Sequence, residues 1–376
     1  MMKKHQKEFC LKMTVYRAMK TKIYPNKQQK ILLTKAIGVA RLTKNVCLDK
    51  LKKDYKNNIK HNYFSINKWW NSIKKIEYPF VNEVSKFIQE YAIRDLDKLV
   101  KKVYDGKNDF PDFVKKGEND SFKITGSAFF FIGKIINLPK GLSIKMGRSL
   151  RWEPLRIFNV TISKKGGEWF AAIQMLIKQK SINTAMGAVG IDLGVSTLAT
   201  LSTGEKFYNP KAEKIYRKKI AYLSRSLSRK KKYSRNWYKA KRKLAKTYMR
   251  LTNVRKDAIN KMTANISSKY EIIALERLHI KEMLKNNKLA KYISDASLYE
   301  VRKQLEYKAK KVKYVNRYYP SSQICSICNR RNEEVKSLSV REWTCPKCGT
   351  KHDRDVNAAR NILVAAGHKV KPVDYL

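Results

Sequence analysis

Acidic side chains are scarce in this sequence. Only 31 Asp and Glu stand against 83 Lys and Arg, a formal charge of +52 over 376 residues. An excess of one sign strains a compact fold by self-repulsion unless a polyanion neutralises it. Nucleic acid is the natural polyanion, and its phosphates bind cations with release of counterions. Long apolar runs are also missing. Those present, such as Ala-Phe-Phe-Phe-Ile at 128–132, are far too short to span a bilayer. The opening Met-Met-Lys-Lys-His-Gln-Lys-Glu lacks the apolar stretch of a secretory signal. Residues 1–12 carry no pattern, and Met13 is an alternative start. Cysteine is sparse too. Of six, four form two Cys-x-x-Cys pairs, while Cys10 and Cys47 stand alone. This excludes a secreted disulfide framework and fits metal binding in a reducing cytoplasm.

What is present is enough for a folded protein. Hydrophobic residues make up 43%, and the length predicts two or three domains. No internal repeat is evident. Residues 13–24 read as a strand that Pro25-Asn26 ends. A helical pattern follows to about 105, with Ile31, Leu32, Ala36, Val39 and Ala40 as one apolar face. Val84, Ile88, Tyr91, Leu96, Leu99 and Val103 form the face of a later helix. From about 122 to 180 the pattern favours strands. A hairpin is expected around Lys-Lys-Gly-Gly before Glu168, and another turn at Pro139-Lys-Gly141. Three strands are expected over 188–209, with a turn at Thr203-Gly204. The last third reads helix, strand, helix, cysteine module, helix.

Three acids occupy unusual places. Asp192 ends an apolar run, Val-Gly-Ile-Asp192-Leu-Gly. On a strand Val189, Ile191 and Leu193 face the core, and Gly190, Asp192 and Gly194 share the other face. The two glycines leave space that a phosphate backbone and a metal ion need. The alternative is an ordinary Asp at a strand end. Glu276 follows Ile272, Ile273, Ala274 and Leu275, a run expected of a central, parallel strand. Such a carboxylate either holds metal or pairs with Arg277 or another cation. Asp355 precedes the apolar stripe Ala358, Ala359, Ile362, Leu363 and Ala366. It is either a site residue or the helix N-cap, and Asp353 competes for either role. An Asp on a first strand, a Glu on a central strand and an Asp opening the last helix follow the order of an RNase H-like site. Three carboxylates there can hold two Mg²⁺ ions roughly 3.5–4 Å apart.

Cys325-Ser-Ile-Cys328 and Cys345-Pro-Lys-Cys348 enclose 16 residues. This spacing suits four thiolates on one structural Zn²⁺, with a hairpin closing the site. Residues 211–250 carry 17 Lys or Arg and one acid, Glu213. They read as long helices facing a polyanion. Lys218, Lys219, Arg229, Lys230, Lys231 and Lys232 are the candidate nucleic-acid contacts. Of the interleaved aromatics, Tyr222 and Trp237 are expected to pack the helix pair rather than stack on bases.

These motifs resemble the TnpB family of transposon-encoded RNA-guided nucleases, relatives of the type V CRISPR effectors. The resemblance rests on Gly190-Ile-Asp192-Leu-Gly194, Ala-Leu-Glu276-Arg-Leu, the paired Cys-x-x-Cys and His352-Asp-Arg-Asp355-Val-Asn357-Ala-Ala-Arg-Asn. It extends to Ile23-Tyr24-Pro25 and Phe110-Pro-Asp-Phe, and so covers nearly the whole chain in order. It implies a multidomain α+β and α/β protein. An N-terminal β-barrel (wedge) domain at 1–24 and 118–185 carries a helical recognition lobe at 25–117. An RNase H-like (RuvC) nuclease domain at 186–324 and 350–376 encloses a zinc ribbon at 325–349. The implied catalytic carboxylates are Asp192, Glu276 and Asp355, with magnesium as cofactor and zinc at Cys325, Cys328, Cys345 and Cys348. The implied partners are a guide RNA from the transposon end and double-stranded DNA beside a short target-adjacent motif. The implied location is the prokaryotic cytoplasm, at the nucleoid when bound to DNA. Other readings are a nuclease-inactive RNA-guided repressor, an unguided transposase or resolvase, and a basic zinc-ribbon protein of the ribosome. The intact acids weigh against the repressor, and the size and ordered triad against the ribosomal protein.

Overall fold

The computed structural model describes residues 14–178, 187–287, 289–337 and 339–368. Met13, residues 1–12 with Cys10, and the expected domain edges near 185 and 376 lie outside them. The chain divides into two compact units, residues 1–180 and 181–376.

The first unit opens with strand β1 (Thr14–Tyr24). Pro25 ends it, having no N–H to give to a ladder. Asn26 then starts α1 (Lys27–Lys56) with a capping box. Its side chain accepts the Gln29 N–H at 2.8 Å, and Gln29 accepts the Asn26 N–H at 2.9 Å, so two orphan donors are satisfied reciprocally. Helices α2 (Tyr63–Glu77) and α3 (Lys86–Tyr104) follow. Both expected apolar stripes need rotation. On α1 the buried residues include Leu33, Ala36, Ile37, Val39 and Ala40, while Ile31 is exposed. On α3 they include Ile88, Ala92, Ile93, Leu96, Val100 and Val103, while Leu99 is exposed. Where apolar residues are adjacent, spacing alone allows either of two neighbouring faces, and the sheet selects one.

That sheet comprises β1 with β2 (Ser121–Thr125), β3 (Phe130–Ile132), β4 (Ile135–Leu138), β5 (Leu142–Met146), β6 (Pro154–Lys165) and β7 (Glu168–Lys178). It is antiparallel in the order β2-β6-β7-β1-β5-β4-β3. Strand β1 joins its two halves, pairing with β7 over Thr14–Ile23 and with β5 at Ile23 and Tyr24. The β6–β7 hairpin turns on Gly166 and Gly167, both at positive φ (60° and 83°), the backbone a tight right-twisted hairpin needs. The sheet is curled. No ladder joins β2 to β3 among the described residues, so hydrogen bonds do not close it into the expected barrel. Its buried face (Met19, Ile23, Ile124, Val160, Ile173) and the helices' buried side chains form one continuous core.

The second unit holds a five-stranded sheet in the order β10-β9-β8-β11-β12. Strands β8 (Ala188–Asp192), β9 (Thr197–Leu201) and β10 (Lys206–Tyr208) run antiparallel in sequence. The long helices α4 (Ala212–Ser228) and α5 (Arg235–Lys269) lead to β11 (Ile272–Glu276). Strand β11 pairs in parallel with β8. Then come α6 (Ile280–Met283), α7 (Ala290–Ala296), α8 (Leu298–Lys308) and β12 (Lys311–Val315), which pairs in parallel with β11. The cysteine module carries the short strands β13 (Glu342–Thr344) and β14 (Lys351–Asp353), and α9 (Arg354–Ala365) closes the unit. Side chains of α5 and α8 (Ile259, Met262, Ile266, Val301, Leu305) pack with one face of the sheet. Ile362 and Leu363 of α9 pack on Ala274 and Val315 at the other. Covered on both faces, β8 and β11 read as unbroken apolar runs. Among the described residues no helix is long and apolar enough to cross a membrane.

The two glycines beside Asp192 do not leave ligand space. A Cβ on Gly190 would lie 2.0 Å from the Ala359 carbonyl oxygen and 2.8 Å from the Leu363 nitrogen. Helix α9 fills that space. A Cβ on Gly194 would lie 2.7 Å from the Thr197 oxygen, within its own turn. The glycines permit packing, not access.

Candidate active site

Strand register brings the first two acids together. Ile191 pairs with Leu275, and the next residue on each strand, just past the paired ladder, is Asp192 on β8 and Glu276 on β11. Both stand at the carboxyl ends of their strands, where open α/β sheets bind ligands. Helix α9 lies on the face shared by Gly190 and Asp192, and its first turn carries Asp355.

The helix start shows which of the two Asp residues is the cap. Asp353 is the N-cap: its Oδ1 accepts the N–H groups of Asp355 and Val356, each at 3.0 Å. Its Oδ2 lies 2.5 Å from Lys206 Nζ. Burial opposes ionisation of Asp353, but Lys206 and the two N–H groups outweigh it and hold its carboxyl below the usual range. Among the described residues Asp355 makes one loose ion pair, 3.9 Å from Arg341.

Asp192 and Glu276 have no salt-bridge partner among the described residues, so the expected alternative of a Glu276–Arg277 pair is not made. The Arg277 guanidinium stacks on Tyr314 instead. Asp192 keeps some exposed area, yet protein encloses its carboxyl. Burial, then the charge of Asp355, then that of Glu276 push its pKa up to about 7. Burial alone lifts Glu276 to about 6. Asp355 and Glu276 both act on Asp192, and the opposing charge of Arg354 does not outweigh burial and their repulsion. The three acids do not converge within the 4.8 Å that encloses the four cysteine sulfurs.

The cysteine sulfurs of Cys325, Cys328, Cys345 and Cys348 all lie within 4.8 Å of one another. Cys328 and Cys345 are 3.5 Å apart, and Cys325 and Cys348 3.7 Å. Four thiolates at about 2.3 Å from one tetrahedral ion stand about 3.8 Å apart, whereas a disulfide needs about 2.05 Å. The set fits a metal. The Thr350 hydroxyl, the first of several hydrogen bonds, lowers Cys348 to about 6, while burial pushes Cys325 up to about 12. One neighbour lies outside the expected set. Buried His352 sets Nε2 3.1 Å from Cys325 Sγ and packs its ring on Trp343. The module is also tied to α9. The Arg354 guanidinium donates to the carbonyl of Ser337 at 2.8 Å, and Asn357 and Asn361 donate to that of Ile324.

Of the basic candidates, Lys218, Lys219, Arg229, Lys231 and Lys232 are exposed and Lys230 is half-buried. Two lie on α4, the others between α4 and α5. Trp237 packs locally, against Tyr233 and Tyr238 with Lys241 over its ring, all on or next to its own helix. Tyr222, expected to pack the helix pair, is 62% exposed.

Comparison with known proteins gives the wider setting. Residues 176–287 match the OrfB_IS605 model, described as "Probable transposase". Residues 299–362 match "Cas12f1-like, TNB domain", and residues 13–60 match the helix-turn-helix domain of the OrfB_IS605 group. In that last stretch the structure has a strand and one 30-residue helix rather than two short helices. A Streptomyces pristinaespiralis protein named "Putative RNA-guided DNA endonuclease" is 36% identical over 93% of this chain and 89% of its own length. The Escherichia coli K12 protein named "Putative RNA-guided DNA endonuclease InsQ" is 31% identical over 94% and 92%. The fold resembles that of the Cas12f1 chain solved as an sgRNA and target DNA complex. The TM-score is 0.57 at 13% identity, covering 93% of this chain and 98% of that one. The protein is by class an endonuclease with a mixed α/β fold and a four-cysteine module. It belongs to the TnpB family of RNA-guided DNA endonucleases.

Proposed function

We propose that the chain, loaded with a guide RNA from its transposon end, cuts double-stranded DNA beside a short target-adjacent motif through Asp192, Glu276 and Asp355. The observation that carries this is the β8–β11 register, which pairs Ile191 with Leu275 and so ends one residue before both Asp192 and Glu276, together with the charge of Asp355 that raises Asp192. Such uncompensated, enclosed carboxylates fit divalent cations, and oxygen donors beside phosphate fit magnesium. Two bound Mg²⁺ ions would supply an activated water and charge stabilisation at the leaving oxygen of the phosphodiester.

The chain's own residues do the rest. The sheet fixes Asp192 and Glu276 side by side. The capped helix offers Asp355 from above, and Asp353 is kept apart by Lys206. Residues 186–324 and 350–376 are read as a RuvC-type nuclease domain, and residues 325–349 as a zinc ribbon held by Cys325, Cys328, Cys345 and Cys348. Residues 1–24 and 118–185 are read as a wedge domain, and residues 25–117 as its recognition lobe. Exposed Lys218, Lys219, Arg229, Lys231 and Lys232, with Lys230, supply backbone contacts that are indifferent to sequence.

The test uses purified protein, the RNA that copurifies with it, a matching plasmid and Mg²⁺. Linear product from the parent, and bound but uncut plasmid with Asp192→Ala, is the expected result. Equal cutting by parent and Asp192→Ala would overturn the assignment.

A further inference from the structure

The segment His352-Asp353-Arg354-Asp355 offers two acids two residues apart. Both raise Asp192 by their charge, Asp355 the more strongly, and Asp353 is the one otherwise engaged. Both oxygens of Asp353 are occupied: Oδ1 by the N–H groups of Asp355 and Val356, and Oδ2 by Lys206. Lys206 is well placed to do this. It pairs with Thr200 across β9 and β10, and Thr200 pairs with Asp192 across β8 and β9. Residues directly opposite on neighbouring strands point to the same face. Lys206, Thr200 and Asp192 therefore form one row on the face that α9 covers. The ammonium reaches from the end of that row to the helix cap.

We propose that Lys206 is a positioning residue that selects Asp355 over Asp353 as the third acid of the centre. This rests on the proposed carboxylate site. Doubly engaged, Asp353 keeps a lone pair only on Oδ2, and there the Lys206 ammonium repels a metal ion. Without Lys206, Oδ2 becomes an unpaired anion near Asp355 and Asp192: their repulsion loosens the cap when no metal is bound, and a metal ion held by the centre would attract Oδ2 when one is. The cap then loosens and Asp355 loses its fixed backbone.

A neutral cap separates selection from simple bracing. Asn caps helices as well as Asp and carries no charge to misdirect. Guided cleavage by Lys206→Met should fall about tenfold or more, with a higher Mg²⁺ concentration at half-maximal rate and unchanged target binding. Lys206→Arg should recover the rate. Lys206→Met combined with Asp353→Asn should also regain most of the rate lost by Lys206→Met alone. Amide exchange at residues 353–358, measured without Mg²⁺ or nucleic acid, should speed up in Lys206→Met and slow again in the double variant. Parental exchange and parental Mg²⁺ dependence in Lys206→Met would overturn the proposal. So would a double variant no better than Lys206→Met, which is the outcome of a merely structural ion pair. If Asp192→Ala still cuts, the site reading has failed, and the exchange data alone judge the cap.

Discussion

Gly190 lies directly beneath the carbonyl of Ala359. A methyl group there would stand 2.0 Å from that oxygen, so the contact admits no side chain. Gly190→Ala should push α9 off the sheet and destabilise the unit by about 2–4 kcal/mol, since backbone cannot yield as a side chain can. Thermal melting and cleavage should fall together. An unchanged melting temperature would contradict the close approach.

The acid pair predicts a pH dependence. Asp192 and Glu276 are raised to about 7 and about 6 from ordinary values of 3.8 and 4.5. Between ordinary and raised values the folded state binds more protons than the unfolded one. Their contribution to stability is therefore fully present below about pH 4 and is lost as pH rises through about 7. Over this window the melting temperature of metal-free protein should decline relative to Asp192→Asn, by roughly 3–8 °C. Parallel pH profiles in the two proteins would refute it. The cutting rate should rise over the same window, because only the ionised acids hold metal.

Metal removal gives a third test. Purified protein should contain about one zinc per chain, and Cys345→Ser should lose it. Because the module is tied to α9 through Arg354, Asn357 and Asn361, that loss should also slow cleavage, in proportion to the melting temperature it lowers. Zinc-free protein with parental melting would remove the structural role.

Salt dependence tests the basic helices. Replacing Lys218 and Lys219 by Gln should weaken binding to all sequences alike. The slope of log K against log salt should flatten by about 0.9 for each phosphate left without its cation. An unaltered slope would place the nucleic acid elsewhere.

Much of this is legible in the residues, but unevenly. Strand β8, strand β11 and the turns at Gly141, Gly166 and Gly204 announce themselves, because local periodicity and positive φ are local properties. The four cysteines do too, since ligand spacing is a property of the chain. Faces are harder: spacing turns Ile31 and Leu99 inward, yet both point out, because adjacent apolar residues leave the helix rotation to its tertiary partner. The space beside Gly190 misleads for a similar reason. Its occupant, Ala359, is far along the chain and carries no signal of the contact. Lys206 and His352 are silent, being one Lys among many and one His outside the cysteine spacing.

The contact of Gly190 with Ala359 also orders the life of the molecule in time. Parallel pairing of β8 with β11 joins segments far apart in the chain, and closure by α9 joins segments separated by most of the second unit's length. Such distant pairings form late. A polypeptide still emerging from the ribosome, with its last helix unmade, carries Asp192 on an uncovered sheet and lacks Asp355 altogether. On the proposed triad, such a half-finished copy would hold an incomplete centre, and topology alone would keep it from cutting.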